Sequence, residues 1–487
     1  MRTSGVVIAV LFTLIQTLNG DWSQNYKIEV KREIDTLRAR ILDRWGGDPA
    51  VVQVLRIQPK AKEVLRNKFI QKILTREPLR MSFTGTSVTA GHDCYFNQSY
   101  PLAFESMMKP VFQAAGFDLR IQNTAMGNNP VYPSTWCIKT IAGEDVDIVG
   151  WEQTMMCHHS AQCIEDFIRR IHTFSPSAIP IAFNVVPKHE SLKKISHVRF
   201  LMFSNHDGSE DLLETYDKLG FHAVVSLESL AVNPSLPQLS HHHLMVEDKV
   251  GSKPWHPGPH GHQLAADILA FEYLQILEDI MNEAELILSA TQIELPEPLF
   301  KGTLDVPLDL NCWTTFEPKS MSNFDLALKA SENQIVHSAF SDEIIFKTVE
   351  ADSAGLLEPS LWNHILWPYD TRAVVRVLNE SLGMLDRKYV LSGCHSSGDL
   401  MLNLDFTQEG PLILCEPKNG ATGYPQRYSH LYGSAHILID GVETEMIPTA
   451  AYPCYISPEK YSKGPHVLDV SVFTPETCIG LTHVIVP

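Results

Sequence analysis

A chain of 487 residues, of which 44% are hydrophobic, can bury a large core, and its length favours two or three domains over one. Its 39 lysine and arginine residues face 57 aspartate and glutamate residues, which gives a formal net charge of -18. This charge argues against nucleic acid or an anionic membrane as a partner, because both repel an acidic protein.

The first 20 residues have the pattern of a secretory signal peptide. Arg2 supplies a positive charge, the run from Val6 to Ile15 is apolar, and Gly20 is a small residue at the cleavage point. Leu18 is larger than the residue usual at that position, so an uncleaved anchor is the alternative. The pattern predicts a secreted protein with no membrane span beyond this segment.

Nine cysteines agree with export, because thiols pair in an oxidising compartment. They form a group of four and a group of five: Cys94, Cys137, Cys157 and Cys163, then Cys312, Cys394, Cys415, Cys454 and Cys478. Pairing within each group would leave one thiol over in the second domain, although spacing does not fix the connectivity. In an exported protein, Asn97 and Asn379 would be glycosylation acceptors.

Residues 21–79 combine helical periodicity with many charges, which predicts a helical N-terminal extension packed on the first domain. The later part of this extension is basic, with Arg56, Lys60, Lys62, Arg66, Lys68 and Lys72. Such a helix can lie on anionic lipid or polysaccharide, but a solvated helix face has the same pattern and is more frequent.

Residues 80–290 alternate short apolar runs with helical ones. The predicted strands are RMSFTG, DLRIQNTA, DVDIVGWE, AIPIAFNV and VRFLMFS, and the predicted helices are 104–115, IEDFIRRI and the long HQLAADILAFEYLQILEDIMNEAELIL. Apolar strands separated by helices indicate an α/β domain with a mostly parallel sheet, in which functional residues gather at the carboxyl ends of the strands.

A linker over residues 291–320 contains several prolines, and the pattern beyond it is of the β type. The predicted strands are KYVLSG, DLMLNLDF, GPLILCEP, AHILIDGVETEMI, HVLDVSVF and THVIVP. The dipeptide Asp440-Gly441 between apolar runs is a hairpin signal. We therefore predict an all-β, sandwich-like domain over residues 321–487.

The segment FTGTSVTAGHD, residues 83–93, joins a predicted strand to a turn bracketed by glycines. Such a turn can present Ser87 at a strand end, with backbone N–H groups close to its hydroxyl, as a nucleophile and its oxyanion hole require. Taken alone, the segment is also compatible with an ordinary turn that caps a helix.

The segment PWHPGPHGHQLAADILAF begins with His256, which Pro257 follows, just before the long helix. A histidine held at such a point is suited to act as a general base, because its neutral imidazole can accept a proton near pH 7. Local capping or packing is the alternative.

Together these two segments resemble the first and last sequence blocks of the SGNH (GDSL-type) hydrolases. Gly85-Thr86-Ser87 stands where that family has Gly-Asp-Ser, and His256-Pro257 with Gly261-His262 matches the last block. The resemblance covers residues 80–290 and implies a three-layer α/β/α, flavodoxin-like fold. It also implies a Ser87–His256 esterase that needs no cofactor.

The middle blocks carry the resemblance further and also depart from it. QNTAMGNN resembles the second block, which makes Gly127 a backbone donor to the oxyanion beside Ser87, and DVDIVGWEQTMM stands where the third block belongs. The family's asparagine donor in that block is absent. Of the residues at that point, Glu152, Gln153 and Met156, only Gln153 can donate comparably.

The family's acid stands three residues before the histidine, where this chain has Lys253. Asp248 could reach the imidazole from further back, and a backbone carbonyl holding the ring is the alternative. With neither acid nor donor replaced, the domain would be a catalytically impaired module that binds carbohydrate or protein. The expected function is a secreted serine esterase for a small-molecule or glycan ester, such as an O-acetyl group.

Histidine-rich segments suggest a metal as a competing interpretation. They are His241-His242-His243, His260 with His262, and Cys157-His158-His159 with Cys163. None has the spacing of a specific metal motif, so we expect no catalytic metal. In the β region, Trp313, Trp362 and Trp367 could stack on sugar rings or pack in the core.

Overall fold

The computed structural model describes most of the chain, with gaps. The described residues are 24–53, 55–127, 131–153, 162–183, 209–224, 237–251, 256–284, 286, 288, 294–300, 306–314, 363–366, 389–395, 399–417, 430–449 and 454–487. The predicted signal peptide, the predicted strand VRFLMFS, Asn379, Lys253, Met156, the Cys157-His158-His159 run, Trp362 and Trp367 lie outside them, as does the side chain of Trp313.

The N-terminal part of the chain alternates strands and helices. The helices are α1 Gln24–Arg44, α2 Pro59–Thr75, α3 Tyr100–Ala114, α4 Val131–Ser134, α5 Ile138–Ala142, α6 Gln162–Phe174, α7 Ser209–Thr215, α8 His241–Met245 and α9 Pro259–Met281. The strands are β1 Arg56–Ile57, β2 Leu79–Gly85, β3 Leu119–Asn123, β4 Ile148–Glu152, β5 Ile179–Phe183 and β6 His222–Val224.

These strands form one sheet in the order β1-β6-β5-β4-β2-β3, and every pair except β1 with β6 is parallel. Strands β2, β4 and β5 are buried almost throughout, as strands covered on both faces must be. Helices α1, α2 and α3 each contact α9, and α1 also contacts α3, while α5 contacts α6 and α6 contacts β5. The domain is therefore the three-layer α/β/α structure that the sequence predicts.

The N-terminal extension belongs to this core. Val30, Ile34 and Ile41 of α1 are fully buried in the same apolar cluster as the sheet. Strand β1, which the sequence did not predict, adds an antiparallel edge strand beside β6, another strand that was not predicted.

The basic run of the extension faces acidic groups of the domain. Lys68 and Lys72 are buried against Asp147, and Arg66 pairs with Glu283. Lys62 lies near Glu272 and Asp279, and Lys60 near Asp217. These positive charges therefore form ion pairs between α2 and the rest of the domain. Neither a solvated helix face nor binding to a lipid surface is needed to explain them.

The C-terminal part of the chain is built of antiparallel strands. They are β7 Asn311–Thr314, β8 Asn363–Leu366, β9 Tyr389–Cys394, β10 Leu400–Phe406, β11 Ile413–Cys415, β12 Ala435–Ile439, β13 Val442–Glu443, β14 Ile447–Pro448, β15 Cys454–Ile456, β16 Gly464–Val472, β17 Cys478–Leu481 and β18 His483–Val486. They form three sheets, in the orders β10-β16-β12-β13, β14-β15-β11-β18-β7 and β17-β9-β8.

Side chains from all three sheets share one apolar core, among them Leu402, Leu414 and Ile479. In β10 and β16 buried residues alternate with more exposed ones, as expected for strands with one face in the core. Asp440 and Gly441 have positive φ values of 54° and 78° and connect β12 to β13, so the predicted hairpin is present. The region is an all-β domain with sandwich-like packing.

The two regions are joined through α5, α6 and the connecting segment. A disulfide links Cys137 to Cys312, and these cysteines pack with Trp136, Ile413 and Ile485 in a separate apolar cluster. On α6, the Arg170 guanidinium donates to backbone carbonyls of residues 307 and 308.

The disulfides correct part of the expected pairing. Cys394–Cys478 and Cys415–Cys454 join cysteines of the C-terminal group, whereas Cys137–Cys312 crosses between the two groups. Among the described residues the unpaired cysteine is Cys94 of the first group, which was expected to be paired. Among the described helices, none is both long enough and apolar enough to span a membrane.

Candidate active site

The turn after β2 presents Ser87. Strand β2 ends at Gly85, opposite Glu152 in the parallel register with β4. A Cβ on Gly85 would lie 2.5 Å from Thr89 Oγ1 and 2.8 Å from the Glu152 carbonyl oxygen, so only glycine allows this close approach. Beyond it the chain winds in a tight coil, in which the His92 N–H donates to the Ser87 carbonyl over 2.9 Å.

Ser87 and His256 meet, although 169 positions separate them in the sequence. The Ser87 hydroxyl lies 2.8 Å from His256 Nε2, the distance of a hydrogen bond in which serine donates. Ser87 is half-buried, and the His256 side chain is 6% exposed. The segment before α9 thus places an imidazole directly over the nucleophile turn.

The third member of the hydrogen-bonded chain is Asp93. The carboxylate atom Oδ2 lies 2.9 Å from His256 Nδ1, which donates to it. With Nδ1 protonated, Nε2 is left as the acceptor that a serine proton needs. A serine, a histidine and an aspartate are therefore connected in the order that nucleophilic catalysis uses.

Asp248, the acid expected from the sequence, does not approach His256 in the structure. Its carboxylate lies 3.1 Å from His260 Nε2, and its side chain is 72% exposed. Asp248 has a positive φ of 56° in the loop after α8, which directs it to the surface of α9. Asp93, six residues after Ser87, occupies the position beside His256 instead.

The loop before His256 is fastened to the Asp93 segment. The backbone N–H groups of Val250 and Gly251 each donate to the Asp93 carbonyl oxygen over 3.0 Å. The Lys249 ammonium is nearly buried, donates to the His256 carbonyl oxygen over 2.8 Å, and lies 3.8 Å from Asp93 Oδ2. These contacts fix the acid and the base relative to each other.

The residues expected to form the oxyanion hole follow three adjacent strands. Ser87 follows β2, Gly127 follows β3 and Gln153 follows β4, and the sheet order β4-β2-β3 places all three at one edge. Next to Gly127, the Met126 N–H donates to the Gly85 carbonyl oxygen over 3.2 Å, which ties that segment to the end of β2.

Gln153 is fully buried, and neither its amide nitrogen nor its amide oxygen has a hydrogen-bond partner among the described residues. A buried amide without a partner is costly and rare in native proteins. Because Gln153 follows β4 at the same sheet edge as Ser87, its amide remains the candidate side-chain donor of the oxyanion hole.

Glu152 is the buried acid of the site. The carboxylate atom Oε2 lies 2.8 Å from Thr86 Oγ1, 3.2 Å from the Thr86 nitrogen and 3.2 Å from Thr89 Oγ1. Burial raises the pKa of Glu152 to about 7, and the hydrogen bonds from the two threonines oppose that rise.

Two further groups close to the site have defined states. Cys94 is buried with its thiol donating to the Pro257 carbonyl oxygen, and burial raises its pKa to about 12, so it stays a neutral thiol. Burial lowers the pKa of His262 to about 3, and its ring stacks on Tyr100. Both pack around the site and neither supplies a charge to it.

The structure brings together one residue from each of two histidine segments that suggested a metal, His243 and His260. Among the described residues, His243, Glu247 and His260 form a group whose potential ligand atoms lie within 4.8 Å of one another. This group lies on the surface of α8 and α9, where His243 and His260 are each already paired with a carboxylate. His262 is buried inside α9 and apart from this group.

Asp93 and Glu152 are the residues that sequence reasoning did not assign. Asp93 ends the FTGTSVTAGHD segment, and the presence of an acid six residues after Ser87 was the only signal in the sequence. Glu152 stood among the candidates for the oxyanion donor, a role that a carboxylate cannot fill. A buried glutamate at a strand end was the signal for a supporting role.

No protein-family model matches the chain, and no curated protein matches it significantly. Similar solved structures include a two-domain esterase (CEX) active on acetylated mannans, with a TM-score of 0.44 and 13% sequence identity, covering 87% of this chain and 94% of that one. A GDSL-like lipase from Parabacteroides merdae has a TM-score of 0.29 and 17% identity, covering 41% of this chain and 97% of that one. The TesA structure has a TM-score of 0.26 and 13% identity.

The likeness is distant, so the interpretation of the site rests on its own contacts.

Proposed function

We propose that the chain is a serine hydrolase that cleaves carboxylic esters by acyl transfer. The observation that carries the proposal is the pair of hydrogen bonds from Ser87 to His256 and from His256 to Asp93, of 2.8 and 2.9 Å. A hydroxyl, a neutral imidazole and a carboxylate in this order form the group that activates a serine toward a carbonyl carbon.

In the first half of the reaction, His256 Nε2 takes the Ser87 proton while Oγ attacks the ester carbonyl. The carboxylate of Asp93 stabilises the imidazolium that forms and keeps its ring oriented. As the tetrahedral intermediate collapses, the imidazolium returns the proton to the departing alcohol and an acyl-serine remains. Water then repeats the sequence, with His256 again as the base, and releases the acid.

The negative charge on the carbonyl oxygen needs donors at the same sheet edge. We assign this role to the backbone N–H groups of Ser87 and Gly127 and to the side-chain amide of Gln153. The unpartnered burial of that amide supports its assignment, because a preorganised donor in a dry site stabilises a developing charge strongly.

The substrate we propose is an O-acyl group on a glycan, such as an acetate ester. Two features support this choice: the export signal predicted for residues 1–20, and the all-β domain attached to the hydrolase domain. The disulfides Cys137–Cys312, Cys394–Cys478 and Cys415–Cys454 fit the oxidising compartment that a secreted enzyme passes through.

A fluorophosphonate probe tests the mechanism directly. The secreted full chain is expected to be labelled at Ser87 and to hydrolyse p-nitrophenyl acetate, with both properties lost in Ser87→Ala. Release of acetate from an acetylated mannan and the rate on longer acyl esters then test the substrate class. Activity that survives chelators separates the serine mechanism from a metal-dependent one.

Absence of Ser87-dependent labelling together with absence of ester cleavage would contradict the proposal. In that case glycan binding by the same chain would favour a hydrolase fold that works as a binding module.

A further inference from the structure

The residue before Ser87 in the nucleophile turn is Thr86, which has no acidic side chain. The carboxylate that supports the turn comes from the neighbouring strand β4, as Glu152. Glu152 is 1% exposed, and its backbone carbonyl also accepts a hydrogen bond from the Thr86 nitrogen, over 3.1 Å. One residue of β4 therefore holds the turn through both its backbone and its side chain.

The contacts of this carboxylate bracket the nucleophile. Its donors are the Thr86 nitrogen, the Thr86 hydroxyl and the Thr89 hydroxyl, on either side of Ser87. Thr89 is held in addition by Asn123 at the end of β3, whose amide donates to its carbonyl oxygen over 2.7 Å. Because positions 86 and 89 are fixed, the direction of the Ser87 side chain between them is fixed as well.

Among the described residues, no ion pair reaches Glu152, and the ionisable groups packed beyond Thr89 are neutral. Tyr100 of α3 lies 3.0 Å from Thr89 Oγ1, and burial raises its pKa well above the ordinary value, so the phenol stays neutral. His262 of α9 stacks on Tyr100 and is neutral because burial lowers its pKa to about 3. Hydroxyl and amide donors, with no ion pair among the described residues, thus stabilise the Glu152 anion.

We propose that Glu152 is a positioning residue for the esterase reaction: its carboxylate, in the charged form, accepts from Thr86 and Thr89 and so holds Ser87 in line with His256. This inference rests on the proposed function. A neutral carboxyl has an O–H group that must itself donate a hydrogen bond to a neighbour, and it accepts less well, so the turn is held less tightly in that form.

The pKa of Glu152 is raised to about 7, so its carboxyl gains a proton as the pH falls below neutral. Loss of this carboxylate then adds to the protonation that inactivates any general base on the acidic side. We expect log(kcat/KM) to rise with a slope approaching two below neutral pH, where a single base gives a slope of one.

The test compares Glu152→Gln with Glu165→Gln in the full-length chain, using p-nitrophenyl acetate from pH 5 to 9. Glu165 is a matched control, because it is also fully buried and accepts from Tyr216 and from two backbone N–H groups, none of which belongs to the nucleophile turn. For Glu152→Gln we expect kcat to fall about a hundredfold, as misplacement of a reacting group by about 1 Å does. The KM should stay similar, and the acidic slope should fall from two to one.

Thr86→Val is the second variant, because it removes the hydroxyl donor and keeps the side-chain shape. It should lower kcat less than Glu152→Gln does, and weaker stabilisation of the anion should move the acidic limb to higher pH. Glu165→Gln should keep both the wild-type kcat and the slope of two.

Each result decides something. An active wild type whose slope and kcat are unchanged in both Glu152→Gln and Thr86→Val overturns the positioning role alone. The same holds if Glu165→Gln reproduces the changes of Glu152→Gln, since the effect would then be general destabilisation. A wild type that is inactive and unlabelled at Ser87 overturns the proposed function, and the inference with it.

Discussion

The structure contains two aspartate–histidine pairs close to the start of α9, and they differ in setting more than in distance. Asp93 lies 2.9 Å from His256 and Asp248 lies 3.1 Å from His260. The first two side chains are 15% and 6% exposed, whereas the second two are 72% and 31% exposed. A charge-assisted hydrogen bond is much stronger in the buried setting, where water does not compete.

The other ring nitrogen separates the pairs further. His256 directs Nε2 at the Ser87 hydroxyl, while the ring of His260 stacks on His243 at the surface, with centroids 4.0 Å apart. An acid orients a catalytic base only if the base also faces a reacting group. Sequence distance from the histidine, which favoured Asp248, carries neither piece of information.

Replacement of Asp93 is expected to have the largest effect on activity of all the changes considered for the two pairs. Asp93→Asn keeps the shape of the side chain but removes the charge that stabilises the imidazolium. We expect kcat to fall by about ten-thousandfold, as loss of the orienting acid does in the serine-protease template. Steady-state hydrolysis of p-nitrophenyl acetate measures the loss. If the variant keeps a tenth of the wild-type kcat, the orienting acid must be a residue other than Asp93.

The second prediction concerns Gln153, the buried residue that we propose as a donor to the carbonyl oxygen of the substrate. Gln153→Leu removes the side chain that we propose as an oxyanion donor, so kcat should fall by about a hundredfold to a thousandfold. It also removes a buried amide with no described partner, so the free energy of unfolding should stay level or rise by about 1–3 kcal/mol.

Gln122→Leu is the control for this opposite pair of effects. Gln122 is buried in β3 with its amide nitrogen donating to Ser82 and to two backbone carbonyls, so its loss should lower stability instead. Urea unfolding and kcat measured together distinguish the two glutamines. Parallel losses of stability and activity in Gln153→Leu would speak against its role as a donor.

Gly251→Ala displaces Asp93 without removing its carboxylate. A Cβ at position 251 would lie 1.8 Å from Asp93 Oδ1 and 2.4 Å from its Cβ, so Asp93 has to move. We expect kcat to fall about a hundredfold, the effect of a shift of about 1 Å at a reacting group. Gly258→Ala is the matched control two residues after His256, where the atom nearest to the added Cβ would be a backbone oxygen at 3.1 Å. Equal losses in the two variants would assign the effect to the loop as a whole.

Asp248→Asn should have the smallest effect. Its partner His260 is on the surface, so the change leaves the hydrogen bonds of Ser87, His256 and Asp93 intact. We expect kcat within about twofold of the wild type, as is usual for surface substitutions. A large loss of kcat on p-nitrophenyl acetate would make the exposed pair part of the mechanism and remove the distinction between the two.

The parts of the fold that follow from local pattern were predicted from the sequence. Strands β2 and β4 are short apolar runs, and α9 is a long apolar helix, so burial alone dictates them. The predicted end of that helix at residue 288 was wrong, because it ends at Met281 and Glu283 beyond it pairs with Arg66 of α2. A contact with a distant helix leaves no local signal in the sequence.

The site shows the same division. Ser87 and His256 could be singled out because each lies at the junction of a predicted element with a turn that has a recognisable sequence. Asp93 could not, because its role depends on the coil of residues 86–94 turning its carboxylate toward a histidine 163 positions away. The burial and hydrogen bonds of Glu152 likewise exist only once β2 and β4 are paired in register.

The two-residue strand β1 has a consequence for how the chain can be shortened. Arg56 and Ile57 pair with Ala223 and His222, so the N-terminal extension closes that side of the sheet. A chain started at Leu79 would leave the backbone N–H and C=O groups on that side of β6 without hydrogen-bond partners. Such an edge can pair with a strand of another molecule, including the same edge of another copy. The shortened chain would then aggregate through this edge, even though it keeps Ser87, His256 and Asp93.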